Sequence, residues 1–121
     1  MSEVVTPMQV ERRLLQLSKE LDESTDDLGR AEMSFMTAKS AWEINSARAR
    51  MQIKARVLER GGKATVGEIE DEALLRCQDE LMALNTSEGM VKAARGNNSR
   101  IRTQIDIARS IGTSVRTSMG V

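Results

Sequence analysis

The sequence predicts an all-α protein folded as a long antiparallel two-helix hairpin, with the helices paired as in a coiled coil. Three observations support this prediction. First, 40% of the 121 residues are apolar but only 2% are aromatic, so aliphatic side chains and alanine must form the core. Second, Pro7 is the only proline. Third, apolar residues recur at spacings of three and four on both sides of Gly61-Gly62, as they do in paired helices.

The start of the first helix is marked by Thr6-Pro7-Met8-Gln9. Thr6 is suited to the N-cap, and Pro7 to the first helical position, where its missing N–H is not needed. Gln9, three residues after Thr6, completes a capping box. The pattern therefore predicts a helix that begins at about residue 7.

A seam with a seven-residue repeat follows along this first helix, as in a coiled coil. Ser24 and Asn45 are its polar exceptions. Past Trp42 we expect the seam to drift into a second register, made of Ile44, Met51 and Leu58 with Ala41 and Ala55. The first seam consists of Leu14, Leu21, Leu28, Phe35, Trp42 and Ala49, with Leu17, Ala31 and Ala38 between them.

Gly61-Gly62 predicts the end of this helix, and Thr65-Val66-Gly67-Glu68 predicts the capping box of the next one. The expected hairpin is one domain over residues 1–121, with arms at about 7–60 and 66–118 and a turn at about 61–65. The weak place in the second arm is Gly96-Asn97-Asn98-Ser99, where either a kink or a break fits. We favour a continuous arm kinked near Gly96, because the apolar spacing resumes after it.

Charge supports a register in which paired residue numbers add to about 125. The acidic stretch from Glu20 to Glu32 then faces Arg95, Arg100 and Arg102. Likewise the basic stretch from Arg48 to Arg60 faces the acidic stretch from Glu68 to Glu72. Acid meets base in both halves, which a parallel arrangement would lose.

Residue types argue against an enzyme. The chain has no His and no Tyr, and its one cysteine, Cys77, cannot form a thiolate cage for a metal. We expect Cys77 to be a small buried residue and expect no cofactor. The formal net charge is zero, no stretch is apolar enough to span a membrane, and the first residues lack a signal-peptide pattern. A cytoplasmic protein without membrane association is expected.

Two sets of residues are candidates for binding. The basic residues near the turn could contact nucleic acid, together with the C-terminal arginines. Pairing of the turn residues with Glu68–Glu72 is the favoured interpretation, because the opposing acids are so well placed. Apolar residues left outside the seam predict a homo-oligomer or a protein partner, unless they are singly exposed. The basic set is Arg48, Arg50, Lys54, Arg56, Arg60 and Lys63; the apolar set is Met33, Met36, Ile53, Val57, Leu75, Ile107 and Ile111.

Three segments carry a resemblance to a known family: the run from Arg30 to Ala41, the tip Lys63-Ala64-Thr65-Val66, and the tail from Arg102 to Arg116. In these segments the chain resembles small helical proteins of actinobacterial tailed phages, most of which have no assigned activity. The resemblance implies a non-catalytic phage protein in the host cytoplasm. It also implies a gene placed among DNA replication and recombination functions.

The expected function is therefore that of a non-catalytic phage accessory protein. It would act as a helical oligomer that binds a protein partner in phage DNA replication or recombination. Two alternatives remain open at the level of sequence. One is a nucleic-acid-binding protein that uses the basic tip and the C-terminal arginines, and the other is a structural or assembly protein of the virion.

Overall fold

A computed structural model of the chain describes residues 4–120. It contains three α-helices, α1 (Pro7–Glu59), α2 (Val66–Arg76) and α3 (Gln78–Ser118), and no strand occurs in the described range. The all-α class predicted from the sequence is confirmed. The long first helix packs against the third.

The N-terminus of α1 has the capping box that the sequence predicts. The backbone N–H of Gln9 donates to Oγ1 of Thr6 at 3.2 Å, and the N–H of Thr6 donates to Oε1 of Gln9 at 2.9 Å. Two donors that the helix itself cannot satisfy are therefore paired. This explains why α1 begins at Pro7, the residue after the cap.

The C-terminus of α1 is closed by the two glycines. Gly61 has φ of +65°, and its N–H donates to the carbonyl of Leu58 at 3.0 Å. The N–H of Gly62 donates to the carbonyl of Val57 at 3.1 Å. These two bonds form a Schellman motif, which needs a residue in the left-handed conformation just past the end of the helix, the position that Gly61 occupies. Oγ1 of Thr65 then accepts from a backbone N–H to cap α2, at 3.1 Å.

The second arm is interrupted at Cys77, and the expectation of one continuous helix over 66–118 is wrong at this point. Cys77 has φ of −107° and ψ of 27°, outside the helical region. The interruption is one residue long, because its N–H still donates to Ala73 and its carbonyl accepts from Leu81, both at 3.0 Å. The segment 96–99, where a kink or break was expected, is helical throughout.

The described residues form two compact units. The terminal unit combines the residues up to Arg30 with those from Lys92 onward. Its core contains Leu17 of α1, which is fully buried, against Ile101, Ile105 and Ala108 of α3. Leu14 and Leu21 flank this core on α1, as the seven-residue repeat predicts.

A polar layer interrupts the apolar core of the terminal unit. Nδ2 of Asn98 donates to Oγ of Ser24 at 3.4 Å and to Oγ1 of Thr25 at 3.2 Å. Its Oδ1 accepts from Nε of Arg102 at 2.9 Å. Asn98 and Ser24 are both buried. Because the amide finds partners on α1, an asparagine that reads in the sequence as a helix breaker stays inside a regular helix.

The central unit, Ala31–Val91, has its own core. Ala49 and Ile53 of α1 pack against Ile69 and Ala73 of α2 and against Cys77 at the joint between α2 and α3. Burial of Cys77 confirms the role expected for it. Partly buried side chains surround this cluster: Trp42, Val57 and Ala64.

The first seam predicted for α1 is confirmed, but its drift into a second register is not. Every residue of the first seam is buried or half-buried. Ile44, Met51 and Leu58, which were expected to take over the seam, are 57%, 71% and 76% exposed. The core follows Ser46, Ala49 and Ile53 instead. Ile44 lies two residues after Trp42, or about 200° around the helix, and so points away from the core.

Candidate functional site

The outer face of α1 in the central unit carries a row of exposed apolar side chains, here called the outer stripe. Their exposed fractions range from 57% to 76%. Their sequence separations place all of them within about 100° of the helix circumference, opposite the core seam. A helix of this chain is therefore apolar on two opposite faces, of which only one is buried. The outer stripe consists of Met33, Met36, Ile44, Met51 and Leu58.

The edges of the outer stripe carry charged side chains of both signs. Glu32 and Glu59 lie near its two ends, and Glu43, Arg48, Arg50 and Lys54 lie along its middle. None of these last four forms an ion pair within residues 4–120. The long arms of Arg and Lys can cover apolar surface while their charged ends remain in water. The face thus combines an apolar row with charges that are free to meet a partner.

The predicted basic cluster does not form one surface. Arg56 lies on the buried side of α1, where its guanidinium donates to Oε1 of Glu72 at 2.6 Å. Arg76 contacts the same carboxylate at 3.1 Å. Hydrogen bonding by Arg56, together with the two positive charges, holds the pKa of Glu72 below its usual value. This part of the cluster is thus neutralised within the chain, as the favoured interpretation expected.

The other basic residues are spread around the helix and the turn. Arg48, Lys54, Arg60 and Lys63 are exposed, while Arg50 is half-buried. Arg48 and Arg60 are twelve residues apart and so differ by about 120° in direction. Lys54 and Lys63 line a groove of about 410 Å³ beside the turn, together with apolar residues. This arrangement supplies no continuous positive strip for a nucleic-acid backbone.

The predicted apolar interface residues fall into three groups. Met33 and Met36 belong to the outer stripe. Leu75 on α2 is 70% exposed, and on α3 Ile107 and Ile111 are 55% and 43% exposed. One assignment needs correction: Ile53 is 1% exposed, so it stabilises the core of the central unit instead of facing a partner. Val57 is half-buried and packs against the same core.

Ile111 also lines a groove in the terminal unit. The groove has a volume of about 280 Å³ and lies between the first residues of α1 and the last turns of α3. Val5, Val10 and Ala108 supply its apolar wall, and Arg13 lies at its edge.

The sequence contains the signal for the outer stripe, but only Met33 and Met36 were predicted to face a partner, whereas the other three residues were predicted to join the core seam. Ile44, Met51 and Leu58 repeat every seven residues, just as the core seam does. Periodicity gives the angle between two apolar rows but not which of them meets the neighbouring helix. Side-chain size distinguishes the two rows, since the two aromatic residues, Phe35 and Trp42, belong to the row that meets the neighbouring helix.

Within residues 4–120, no group of three or more His, Cys, Asp or Glu side chains is arranged to hold a metal ion. None of the helices in this range is both long enough and apolar enough to cross a membrane. No known protein family, no curated protein and no solved structure matches the chain.

Proposed function

We propose that this protein is a non-catalytic interaction module that docks on another protein chain through the outer stripe of α1. The observation that carries this proposal is the second apolar face of α1. The five large apolar side chains of the outer stripe lie on one side of a helix whose opposite side already forms a core. Large apolar residues that share one exposed helix face are typical of a contact surface.

Burial of the outer stripe alone offsets about the free-energy cost of association. Full burial of one Leu, Ile or Met contributes about 1.5–3 kcal/mol. The outer stripe is about two thirds exposed. Covering it would thus contribute about 5–10 kcal/mol, similar to the roughly 4–15 kcal/mol that association costs. A partner must therefore bring apolar surface of its own, or charges that complement those along the edges of the outer stripe.

We also propose that α1 pairs with its neighbouring helix in the antiparallel direction within each unit. In the terminal unit, the site of a Cβ on Gly112 lies 3.0 Å from Val10, and Asn98 bonds to Ser24; both pairs of residue numbers total 122. In the central unit the Asn45–Glu80 pair totals 125 and the Arg56–Glu72 pair totals 128. Nearly constant totals support antiparallel pairing of α1, as predicted for a two-helix hairpin.

The class of partner follows from the resemblance to small helical proteins of actinobacterial phages. On that basis the assembled protein works with a protein of phage DNA replication or recombination in the host cytoplasm. Direct nucleic-acid binding and a virion role remain the alternatives. The dispersed basic residues and the ion pair between Arg56 and Glu72 weigh against the first of these.

Site-specific photo-cross-linking tests the proposal. A photoreactive amino acid replaces Met51 on the outer stripe in one variant and Met82, 58% exposed on α3, in a control. Each full-length variant is produced in cells that also express the phage's replication and recombination proteins, and protein adducts are identified by mass. We expect a protein adduct from position 51 and none from position 82. The adduct should disappear when Ile44→Glu is added.

Two results would contradict the proposal. One is the absence of any protein adduct at position 51. The other is an association that nuclease treatment removes and that Ile44→Glu leaves unchanged, which would support nucleic-acid binding. Measuring DNA affinity at rising salt separates these cases, since binding through phosphate contacts falls steeply with ionic strength.

A further inference from the structure

The outer stripe of α1 has the spacing of a second coiled-coil seam. Between Met33 and Leu58, eight positions on the face of α1 that carries the outer stripe follow one another at alternating steps of four and three residues, over about 38 Å of helix. Four of them are the large apolar residues of the outer stripe, small or polar residues lie between these, and Met36 lies at the edge of the seam. In chain order the positions are Met33, Thr37, Ser40, Ile44, Ala47, Met51, Lys54 and Leu58.

We propose that the outer stripe is covered by the outer stripe of a second copy of this chain, paired in the antiparallel direction. This inference rests on the proposed function and names the occupant of its surface. Antiparallel pairing of identical helices about a twofold axis closes the contact, so that both stripes are covered at once. The facing pairs are Met33 with Leu58, Thr37 with Lys54, Ser40 with Met51, and Ile44 with Ala47.

Side-chain size favours the antiparallel direction. In that pairing Ile44 meets the small Ala47, and Met51 meets the small Ser40, so the two surfaces interlock. In the parallel direction every residue would meet its own copy. Ala47 would then face Ala47 and leave a gap, and Lys54 would face Lys54, bringing two positive charges together. Antiparallel pairing places Lys54 beside Thr37 instead.

Charge supports the same direction and fixes the register. Glu43 and Arg50 lie on the same edge of the outer stripe, seven residues apart. In antiparallel pairing Glu43 of each copy meets Arg50 of the other, which creates two symmetric ion pairs. Neither side chain has an ion-pair partner within the described part of the chain. Parallel pairing would instead bring Glu43 to Arg48, so the two directions make different predictions.

The native chain is tested first, by sedimentation equilibrium over a range of concentrations. We expect a mass that rises from the 13.4 kDa of one chain to twice that value as concentration increases. Ile44→Glu should abolish the dimer, whereas Met82→Glu, which changes an equally exposed residue of α3, should leave it intact. Circular dichroism is recorded for each variant to show that helix content is unchanged.

A charge swap then tests the register. Glu43→Arg alone or Arg50→Glu alone should raise the Kd of the dimer about tenfold, because each creates two like-charge contacts. The double variant Glu43→Arg/Arg50→Glu should restore the Kd to within about threefold of the native value. Restoration by Glu43→Arg/Arg48→Glu instead would overturn the antiparallel register. A dimer that is insensitive to Ile44→Glu would overturn the assignment to this face.

Failure of this inference can be distinguished from failure of the proposed function. If the native chain stays monomeric at every concentration while position 51 cross-links to a different protein, the self-association is wrong and the interaction module stands. If position 51 cross-links to a second copy, both are supported. If the chain is monomeric and position 51 gives no adduct, both are wrong.

Discussion

The amide of Asn98 in α3 donates a hydrogen bond to the hydroxyl of Ser24 in α1, inside the apolar core of the terminal unit. Both side chains are buried, at 8% and 3% exposed. A buried asparagine in a helix seam fixes how two helices align, because any shift leaves its polar atoms without partners. Asn98 therefore specifies the register of this unit, whereas a well-packed apolar pair at the same place would stabilise it without specifying the register.

Asn98→Ala should destabilise the protein even though alanine is the better helix former. The substitution removes the partner of Nε of Arg102 and two donors to α1, and leaves a small cavity. We expect a loss of about 1–2 kcal/mol in the free energy of unfolding. Urea denaturation followed by circular dichroism measures it.

Asn85→Ala is the matched control, since Asn85 is exposed on the same helix. It should leave the free energy of unfolding unchanged or raise it slightly. Equal effects of the two substitutions would show that the hydrogen bonds of Asn98 contribute nothing to stability.

The two glycines of the turn should respond differently to alanine. Gly61 has φ of +65°, where a Cβ is strained although no neighbouring atom obstructs it. Gly61→Ala should therefore cost about 1–2 kcal/mol. At Gly62 the φ is not in the left-handed region and an added Cβ would make ordinary contacts at 3.8 Å and 3.9 Å with Val57. We expect Gly62→Ala to be tolerated, and a similar drop in melting temperature for both would contradict the Schellman assignment.

Helical glycines provide a second contrast. An added Cβ at Gly96 meets nothing within 4 Å, so Gly96→Ala should raise stability by about 0.5–1 kcal/mol through helix propensity. At Gly112 the Cβ would lie 3.0 Å from Cγ1 of Val10, a branched side chain that cannot move aside freely. Gly112→Ala should therefore fail to gain stability. Differential scanning calorimetry compares the two, with an expected rise of about 2–5 °C for Gly96→Ala only.

The contact between Glu72 and Arg56 should make stability depend on pH in a defined direction. The pKa of Glu72 is lower in the folded chain than its ordinary value of 4.5, chiefly because Arg56 donates to it. The contribution of this contact to the free energy of unfolding is therefore fully present above about pH 4.5. It is lost as the pH falls through the lower pKa that Glu72 has in the folded chain. The stability difference between the native chain and Glu72→Gln should be present at pH 7 and disappear at strongly acidic pH.

Glu70→Gln is the control for this experiment, because Glu70 is exposed on the same helix and has no ion-pair partner in the described part of the chain. Chemical denaturation at several pH values gives both differences. If Glu70→Gln and Glu72→Gln show the same pH dependence, the effect arises from overall charge and not from the pair.

Local sequence rules predicted the helix ends well. The capping box of Thr6 and Gln9 and the motif at Gly61 each act over a few residues, so the chain segment itself contains the information. The seam of α1 was also predictable, because a seven-residue repeat of large side chains has to be buried. The joint at Cys77 was not, since it has no Gly or Pro and keeps hydrogen bonds on both sides.

The burial of the two apolar rows and the helical state of Asn98 could not be predicted from the sequence, and both have the same physical origin. Ile44 and Trp42 belong to two apolar rows on opposite faces of one helix, and both rows have the same period. Which row is buried depends on the surface that α2 and α3 present, a tertiary property absent from the local pattern. Similarly, Asn98 resembles a helix breaker until Ser24 is known to face it. Partners distant in sequence decided both cases.

Cys77, the buried joint between α2 and α3, is also the only thiol in the chain. A thiol reagent can reach it only when the central unit opens around the joint. The rate of modification, compared with that of the unfolded chain, therefore reports the free energy of this opening. The native protein thus carries its own label for the dynamics of one unit, and partner binding on α1 can be followed as slower labelling without any substitution.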